Sequence, residues 1–489
     1  MRDANIIRVL KTFTKKEIDE FETYVNSPAQ LKKRDVRKIF NSLKEFYPDF
    51  EGKSLNDEHL FKSIFPNEKF VKKKLTLSVF HLYDSVCDFL VLSGTNEKEP
   101  DRTFALMEEL LKRGMENSFR KLARKLDKKL VSTEYLLGSY FAYRNRLEDL
   151  MISYYSRNHD YKGFIDSSMR RTENTMALNL LRSMRSVINK YFAEISYNLR
   201  TDGELFNTVI NGTNFLEIFS SKEKHQFLKL LEPVFYTFQA VSGSNLEESL
   251  FKAEDSFIKN INLYGREEKV YIYSEMVNLY DMNIREAQDP KKKKTLSKRS
   301  LNLTKVFVDE KLYKTEKDKY MQMIFFRNVV LTALDAHEYE WAEHFILQHY
   351  NKLKPSYSEN MKNFCLAETE FTRNNFENSL EYLSNVSYNS FVFKRDVKML
   401  LMNLYYELNF FEQAYYIMEN TKRYLKKTNE ISEEDKILDY NFIEYYKQLL
   451  KLRETPDKDA AVVCINKIKK VYNKIENPDW LVEKFKEIL

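Results

Sequence analysis

The sequence predicts an all-α fold in which an N-terminal helical domain is followed by an α-solenoid of helical hairpins. The 489-residue chain contains only 9 glycine and 9 proline residues, so its backbone has little use for sharp turns. Apolar residues recur with a helical period, whereas a β fold requires alternating runs separated by regular turn signals. Small residues at positions 342, 379 and 414 stand 37 and 35 residues apart, a repeat length typical of stacked helical hairpins.

The composition narrows the classes of function. With 79 basic and 73 acidic residues and a net charge of +6, the whole chain carries no electrostatic signal for nucleic acid. Cys87, Cys365 and Cys464 lie far apart within apolar helical patterns, which favours reduced thiols and therefore the cytoplasm. The first residues lack the features of a secretory signal, and no apolar run approaches the roughly 18 residues of a membrane span. We therefore expect a cytoplasmic protein without a membrane partner.

Residues 1–92 are predicted to form the N-terminal helical domain. Thr14 and Glu17 make a capping box that starts the helix carrying Ile18, Phe21 and Val25. Further helices are predicted over residues 35–47 and 56–65, and a long helix from about residue 71 to residue 92.

The last two of these helices admit two interpretations. A short helix, a brief turn and a longer helix with Lys72, Lys73 and Lys74 at its entrance are what a DNA-binding helix-turn-helix would show. Any two packed helices would show the same pattern. No Arg, Asn or Gln pattern for reading bases follows the lysines, so nucleic acid is the less favoured partner.

A polar segment at residues 93–100, which holds Gly94 and Pro100, is predicted to separate this domain from an irregular helical-hairpin region over residues 102–285. Its first hairpin, around Gly114, has a basic outer stripe on the second helix. We interpret this stripe as a solvated helix face; the alternative interpretation is that it binds a phosphate-rich partner. The stripe consists of Arg120, Lys121, Arg124, Lys125, Lys128 and Lys129.

Residues 301–489 are predicted to contain the repeats and a C-terminal capping helix. Ala342, Ser379 and Ala414 mark three successive units, and an aromatic residue precedes each marker by three positions. A small residue at this place lets two helices cross closely. The terminal helix, over residues 479–489, would cover the last apolar face of the array.

The units over residues 360–421 resemble the tetratricopeptide repeat (TPR), since Phe376, Ser379 and Leu383 occupy its large and small packing positions. The whole chain also resembles a family of bacterial helical proteins in which an N-terminal helical domain precedes such repeats. The resemblance implies a peptide-binding concave surface formed by the first helix of each unit. The positions carried over to this surface are Arg327, Leu331, Asp335, Phe364, Glu368, Phe371, Asn403 and Tyr406.

No pattern in the sequence predicts an enzyme or a cofactor. The closest pair of glycines, Gly203 and Gly212, is too far apart for a phosphate-binding loop, and the cysteines lack zinc-ligand spacing. His337, Glu340 and His344, with His349 beyond, are the cluster in the sequence that most resembles a metal site. It lacks the second histidine of a zinc-protease motif, so no metal site is predicted. The sequence thus predicts a scaffold that binds a protein or peptide partner, with a DNA-binding regulator as the alternative.

Overall fold

A computed structural model describes residues 5–27, 34–51, 55–97, 99–130, 135–197, 199, 203–221, 225–243, 245–314, 320–387, 393–428 and 431–489. Throughout these ranges the regular secondary structure is helical and no strand occurs, which confirms the all-α prediction. The helices of the first half are α1 (Asn5–Lys11), α2 (Lys15–Val25), α3 (Arg34–Lys44), α4 (Asp57–Ile64), α5 (Lys72–Glu97), α6 (Glu99–Lys112), α7 (Glu116–Leu130), α8 (Leu137–Arg157), α9 (Tyr161–Tyr197), α10 (Glu204–Gly212), α11 (Phe215–Ser220) and α12 (Gln226–Ser242). Those of the second half are α13 (Leu246–Lys259), α14 (Arg266–Glu286), α15 (Pro290–Asp309), α16 (Met323–Asp335), α17 (Tyr339–His349), α18 (Ser358–Thr372), α19 (Phe376–Ser384), α20 (Lys394–Glu407), α21 (Phe411–Lys427), α22 (Glu433–Glu454), α23 (Lys458–Lys470) and α24 (Pro478–Lys486).

The chain divides into two compact units. Unit 1 comprises Met1–Val131 and Tyr143–Thr172, and unit 2 comprises Ser132–Ala142 and Glu173–Leu489. Unit 1 therefore extends beyond the predicted 1–92 domain, because α6, α7 and parts of α8 and α9 belong to it. The predicted division into three domains stays a prediction.

The start of α2 in unit 1 follows the local signal in the sequence. The backbone N–H of Thr14 donates to the carboxylate of Glu17 at 2.7 Å, and the N–H of Glu17 donates to the Thr14 hydroxyl at 3.3 Å. This reciprocal pair satisfies two N–H groups that the first helical turn leaves free. The helix then buries Phe21, whose ring lies 4.8 Å from Phe40 and 5.2 Å from Phe89. The predicted capping box is confirmed.

Helix α5 ends five residues later than predicted. Residues 93–97 are helical despite their polar composition and Gly94. A single glycine costs only about 1 kcal/mol in a helix, and no atom within 4 Å would crowd a side chain at Gly94. A polar segment can be either a connection between helices or the solvated last turn of a helix, and its composition does not distinguish the two.

By length and composition alone, residues Lys72–Gly94 of α5 could cross a membrane, contrary to the expectation from the sequence; no other helix of the described chain passes this test. One such helix is weak evidence, because the core helix of a soluble protein passes the same test. One side of α5 is packed in unit 1, where Leu75, Leu82 and Val86 are buried.

Successive helices in the later part of unit 2 pack against each other in pairs. Helix α16 packs on α17, α18 on α19, and α20 on α21. Ala342, Ser379 and Ala414 are all 0% exposed. The Ser379 hydroxyl donates to the backbone carbonyl of Ala367 in α18 at 2.6 Å, so the small residue touches the backbone of the preceding helix. A larger side chain at this place would separate the two helices.

The turn inside each of these pairs has the same backbone geometry. His337, Asn374 and Asn409 have φ angles of 59°, 64° and 59°, in the left-handed region that often ends a helix. The residue after each donates its N–H to a carbonyl five positions earlier, at 2.9, 2.9 and 2.8 Å. These left-handed residues are spaced by 37 and 35 positions, as the buried markers are.

A buried carboxyl group with no partner lies on α14, in the earlier part of unit 2. Glu275 is 6% exposed, and neither of its carboxyl oxygens has a hydrogen-bond partner in the described chain. Burial raises the pKa of Glu275 to about 8, against the opposing charge of Arg185. Because ionised carboxylates are poorly tolerated without partners, this side chain stays protonated at neutral pH.

We therefore predict that unit 2 loses stability as the pH rises from 6 to 9. A carboxyl whose pKa is raised by folding contributes stability below its unfolded pKa, and that contribution is lost as the pH passes through about 8. Glu275→Gln, which mimics the neutral acid, should reduce the fall in unfolding free energy by up to about 1.4 kcal/mol per pH unit. Urea unfolding at pH 6, 7.5 and 9 measures this slope.

Glu267→Gln, an exposed position on the same helix, is the matched control and should leave the slope as it is. An unchanged slope in Glu275→Gln would show that Glu275 ionises in the folded protein as it does in the unfolded chain.

Candidate partner-binding site

A cavity of about 420 Å³ lies in unit 2 between α14, the start of α15, α16, α20, α22 and residues 472–479. Its apolar lining comes from Ile284, Leu331, Leu438 and Ile475. Its charged lining residues are Asp281, Arg285, Lys293, Arg327, Asp335, Arg395, Asp435, Glu476 and Asp479. Its volume is within the range of natural ligand pockets.

Arg395, in the first turn of α20, forms ion pairs that connect α20 with α22 and with the segment before α24, on one side of the cavity. Its guanidinium group makes two parallel hydrogen bonds to the carboxylate of Asp439 in α22, at 2.7 and 2.6 Å. It also contacts the carboxylates of Glu476 at 2.9 Å and Asp396 at 3.3 Å. The Asp439 side chain is 0% exposed, so its charge depends on this bidentate pairing.

Arg327, on α16, joins this network through Asp396. It forms an ion pair with Asp396 at 3.0 Å, and its guanidinium group is 5.2 Å from the ring centre of Phe393. Its Nε atom is buried and has no acceptor among the described residues. Glu368 on α18 is half-buried nearby, and burial raises the pKa of its carboxyl to about 7, although the positive charge of Arg327 opposes the shift.

Negative charge is in excess around the cavity. Burial also raises the pKa of Asp281 and of Asp439 to about 6 each. The Asp335 residue is exposed, and partial removal of its carboxyl from water inside the cavity is the main cause of its raised pKa. Five carboxyl groups and four basic groups line the cavity, and three further carboxyls, those of Glu368, Asp396 and Asp439, lie beside it. A cationic group would relieve this repulsion.

The adjoining part of α20 and α22 is covered by the C-terminal helix α24. The ring of Trp480 lies 5.4 Å from that of Tyr406 and 6.1 Å from those of Phe442 and Tyr446. Its indole N–H donates to Glu407 at 2.7 Å. Lys484, one turn later, pairs with the same carboxylate at 2.9 Å. An apolar ring and two polar contacts thus anchor this helix.

The predicted partner-binding residues fall into two groups. Arg327, Leu331 and Asp335 line the cavity together, and Glu368 lies beside Arg327. The remaining residues do not face it: Phe364, Asn403 and Tyr406 are 0%, 5% and 3% exposed, and Phe371 packs against Phe376 at 5.6 Å. Phe364, Asn403 and Tyr406 are therefore core residues, because neighbouring helices and α24 cover the positions that the repeat pattern leaves open.

Sequence reasoning missed Arg395, Asp439 and Glu476. The available signal was weak: Arg395 lies in the first turn of α20, Asp439 in the second turn of α22 and Glu476 just before α24, and charged residues are common at such positions in solvated helices as well. Their pairing joins residues 44 and 81 positions apart, which no local pattern can indicate.

The lysines of the DNA-binding alternative do not form one free basic surface. Lys74 binds both carboxylate oxygens of Glu68 at 2.7 Å and lies 3.8 Å from the ring centre of Phe65. Lys72 and Lys73 are exposed. The outward face of the next turns carries Leu77 and Phe80, 55% and 60% exposed, in place of base-reading side chains. DNA binding stays a prediction.

The histidines weighed as a metal site have separate contacts. The Nδ1 atom of His337 lies 2.6 Å from the Tyr339 hydroxyl, and that of His349 lies 2.7 Å from the Lys352 amine. Within the part of the chain that the structure describes, no group of three His, Cys, Asp or Glu side chains is placed to hold a metal ion.

Comparison of this chain with family models, with curated proteins and with solved structures gave no match. The resemblance to the TPR therefore depends on the residues quoted above. Function is inferred from the geometry of the cavity and its surroundings.

Proposed function

We propose that this protein is a cytoplasmic, non-enzymatic interaction scaffold that binds a segment of a partner protein. In this proposal, α16, α18, α20 and α22 are the first helices of TPR-like hairpins and form one continuous binding face. The single observation that carries it is the seating of α24: the α20 and α22 part of this face already binds a helix, through Trp480 and Lys484.

Two features support the repeat architecture within this proposal. The buried small residues and the left-handed turn residues share the same spacing, which is expected when one hairpin is repeated. The contact of the Ser379 hydroxyl with the backbone of the preceding helix is also what a small residue at a helix crossing would make. The free thiols of Cys87, Cys365 and Cys464 agree with a reducing compartment.

The open part of the face is the cavity beside Arg327, Leu331 and Asp335. Its apolar walls can hold the stems of long side chains, and its excess carboxylates favour positively charged ends. We therefore propose that the bound segment is basic, with Lys or Arg side chains entering the cavity. Asp335 is a suitable carboxyl for such a group, since it lines the cavity, is exposed and has no ion pair among the described residues.

A fluorescein-labelled peptide of alternating Lys and Ala, with a Glu and Ala peptide as its counterpart, tests this proposal by fluorescence anisotropy at 50 and 300 mM salt. We expect the basic peptide to bind and the acidic one not to bind. Asp335→Lys should weaken binding at least ten-fold, because it reverses the charge at the cavity mouth.

Glu377→Lys makes the same charge change on α19, outside the cavity lining, and should leave the affinity unchanged. If both variants lose the same affinity for the basic peptide, binding depends on the net charge of the protein and not on the cavity. If the unmodified protein binds no peptide, the proposed ligand chemistry is wrong. A photo-crosslinker at Leu331 would then locate the bound segment directly.

A further inference from the structure

A second cavity, of about 540 Å³, lies within unit 1 between α7, α8 and the start of α9. Ala123, Leu147 and Met151 contribute its apolar lining, and Tyr154 and Tyr155 line it as well. The volume accommodates a ligand of nucleotide size. It belongs to a different unit from the proposed partner-binding cavity.

The aromatic side of this cavity is held in place by packing. The ring of Tyr154 is stacked on Phe119 with 5.4 Å between centres. The ring of Tyr155 lies against Gly163, where a Cβ atom would come within 2.5 Å of it. Glycine at this position therefore allows the ring to lie flat on α9. Fixed aromatic rings provide a surface for a planar ligand group.

Four arginines line the cavity, and two of them are neutralised by carboxylates. Arg170 makes a bidentate pair with Glu148, at 2.9 and 3.0 Å, and donates to the Ser167 hydroxyl at 2.7 Å. The Glu148 side chain is only 4% exposed, so this pair is part of the cavity floor. Arg144 pairs with Asp127.

The other two arginines are available to a ligand. Arg120 and Arg124 lie one turn apart on α7, line the cavity, and are exposed. Neither has an ion pair or a hydrogen bond to its side chain among the described residues. The remaining acid of the lining, Asp160, caps α9 by accepting from the N–H of Gly163 at 2.9 Å. The Nε atom of Arg144 is buried and has no acceptor in the described chain. Positive charge and donor capacity are therefore in excess here.

We propose that this cavity binds a phosphate monoester of nucleotide size. The guanidinium groups of Arg120 and Arg124 bind the phosphate, because their planar donor arrays match its oxygens. Tyr154 and Tyr155 contact the organic part of the ligand. The adjacent basic stripe of α7 then has two roles: its two arginines face the ligand, and three of its lysines are exposed to solvent. These are Lys121, Lys125 and Lys128.

Isothermal titration calorimetry on the full-length protein, with adenosine and guanosine monophosphates and triphosphates as probes, tests this assignment. We expect at least one nucleotide to bind with a Kd below about 1 mM, and adenosine or inorganic phosphate alone to bind at least ten-fold more weakly. Arg120→Ala with Arg124→Ala should weaken nucleotide binding at least ten-fold.

Lys121→Ala with Lys125→Ala is the matched control, since it removes the same charge from the same helix at positions outside the cavity lining. It should bind as the unmodified protein does, and circular dichroism should show both double variants folded. Equal losses in the two double variants would assign the effect to net charge, and failure of all four nucleotides to bind would overturn the proposal. Binding of a single-stranded oligonucleotide in preference to every nucleotide would replace it with a nucleic-acid site.

Discussion

Replacing Trp480 with alanine is expected to lower the unfolding free energy of unit 2 by about 3–5 kcal/mol, the usual cost of removing a buried Trp or Phe side chain. Trp480 is 7% exposed and packs against Tyr406, Phe442 and Tyr446. Its removal leaves a cavity among three rings. It also deprives Glu407 of the indole N–H, although Lys484 still holds that carboxylate.

The chain offers a direct reporter for this experiment. It contains two tryptophans, Trp341 and Trp480, and both belong to unit 2. In Trp480→Ala, urea unfolding monitored through Trp341 therefore follows the affected unit. Trp480→Phe keeps most of the packing and should cost less than Trp480→Ala.

Lys486→Ala, at an exposed position on the same helix, serves as the reference for a change in α24 without loss of packing. If Trp480→Ala were no less stable than Lys486→Ala, α24 would not be seated on α20 and α22 as described. The buried position of Tyr406 would then lose its explanation as well.

The features that the sequence predicts correctly are local ones. The Thr14 and Glu17 capping box needs only four consecutive residues, and its chemistry decides where α2 begins. The burial of Ala342, Ser379 and Ala414 likewise follows from a small residue recurring within an amphipathic helix. Such signals act over one or two turns, so the sequence alone contains enough information to locate them.

The features it does not predict depend on distant contacts. Tyr406 is covered by Trp480 of α24, some 75 residues further along the chain, and no residue near Tyr406 in the sequence indicates this contact. The carboxyl of Glu275 is similar, because a glutamate in a helix is normally solvated. The cavity residues Arg327, Leu331 and Asp335 could be predicted only through the resemblance to a repeat.

Replacing Arg395 with methionine is expected to destabilise unit 2 by about 3–5 kcal/mol at pH 8, the cost of leaving a buried charge without its partner. Asp439 is fully buried and loses two hydrogen bonds, and Glu476 and Asp396 lose a shared cation. The loss should be smaller at pH 5. Burial already raises the pKa of Asp439 to about 6 against the effect of Arg395, so without Arg395 the carboxyl keeps its proton to still higher pH.

The sign of this dependence follows from linkage. An acid whose pKa is higher in the folded than in the unfolded protein contributes stability at low pH and loses it as the pH rises through its folded pKa. Urea unfolding at pH 5, 6.5 and 8 should therefore show the variant falling further below the unmodified protein at each step. Lys394→Met, which removes a neighbouring cation from the same turn of α20, should show no such widening.

Adding Asp439→Asn to Arg395→Met removes the buried negative charge and should recover part of the stability at pH 8, because an amide tolerates burial better than an unpaired carboxylate. A deficit of Arg395→Met that is the same at pH 5 and pH 8 would mean that Asp439 is not ionised beside Arg395. In that case packing, and not the ion pair, would hold α20 against α22. The negative charge beside the cavity would also be smaller than the number of carboxyl groups implies, and the proposal of a basic partner depends on that charge.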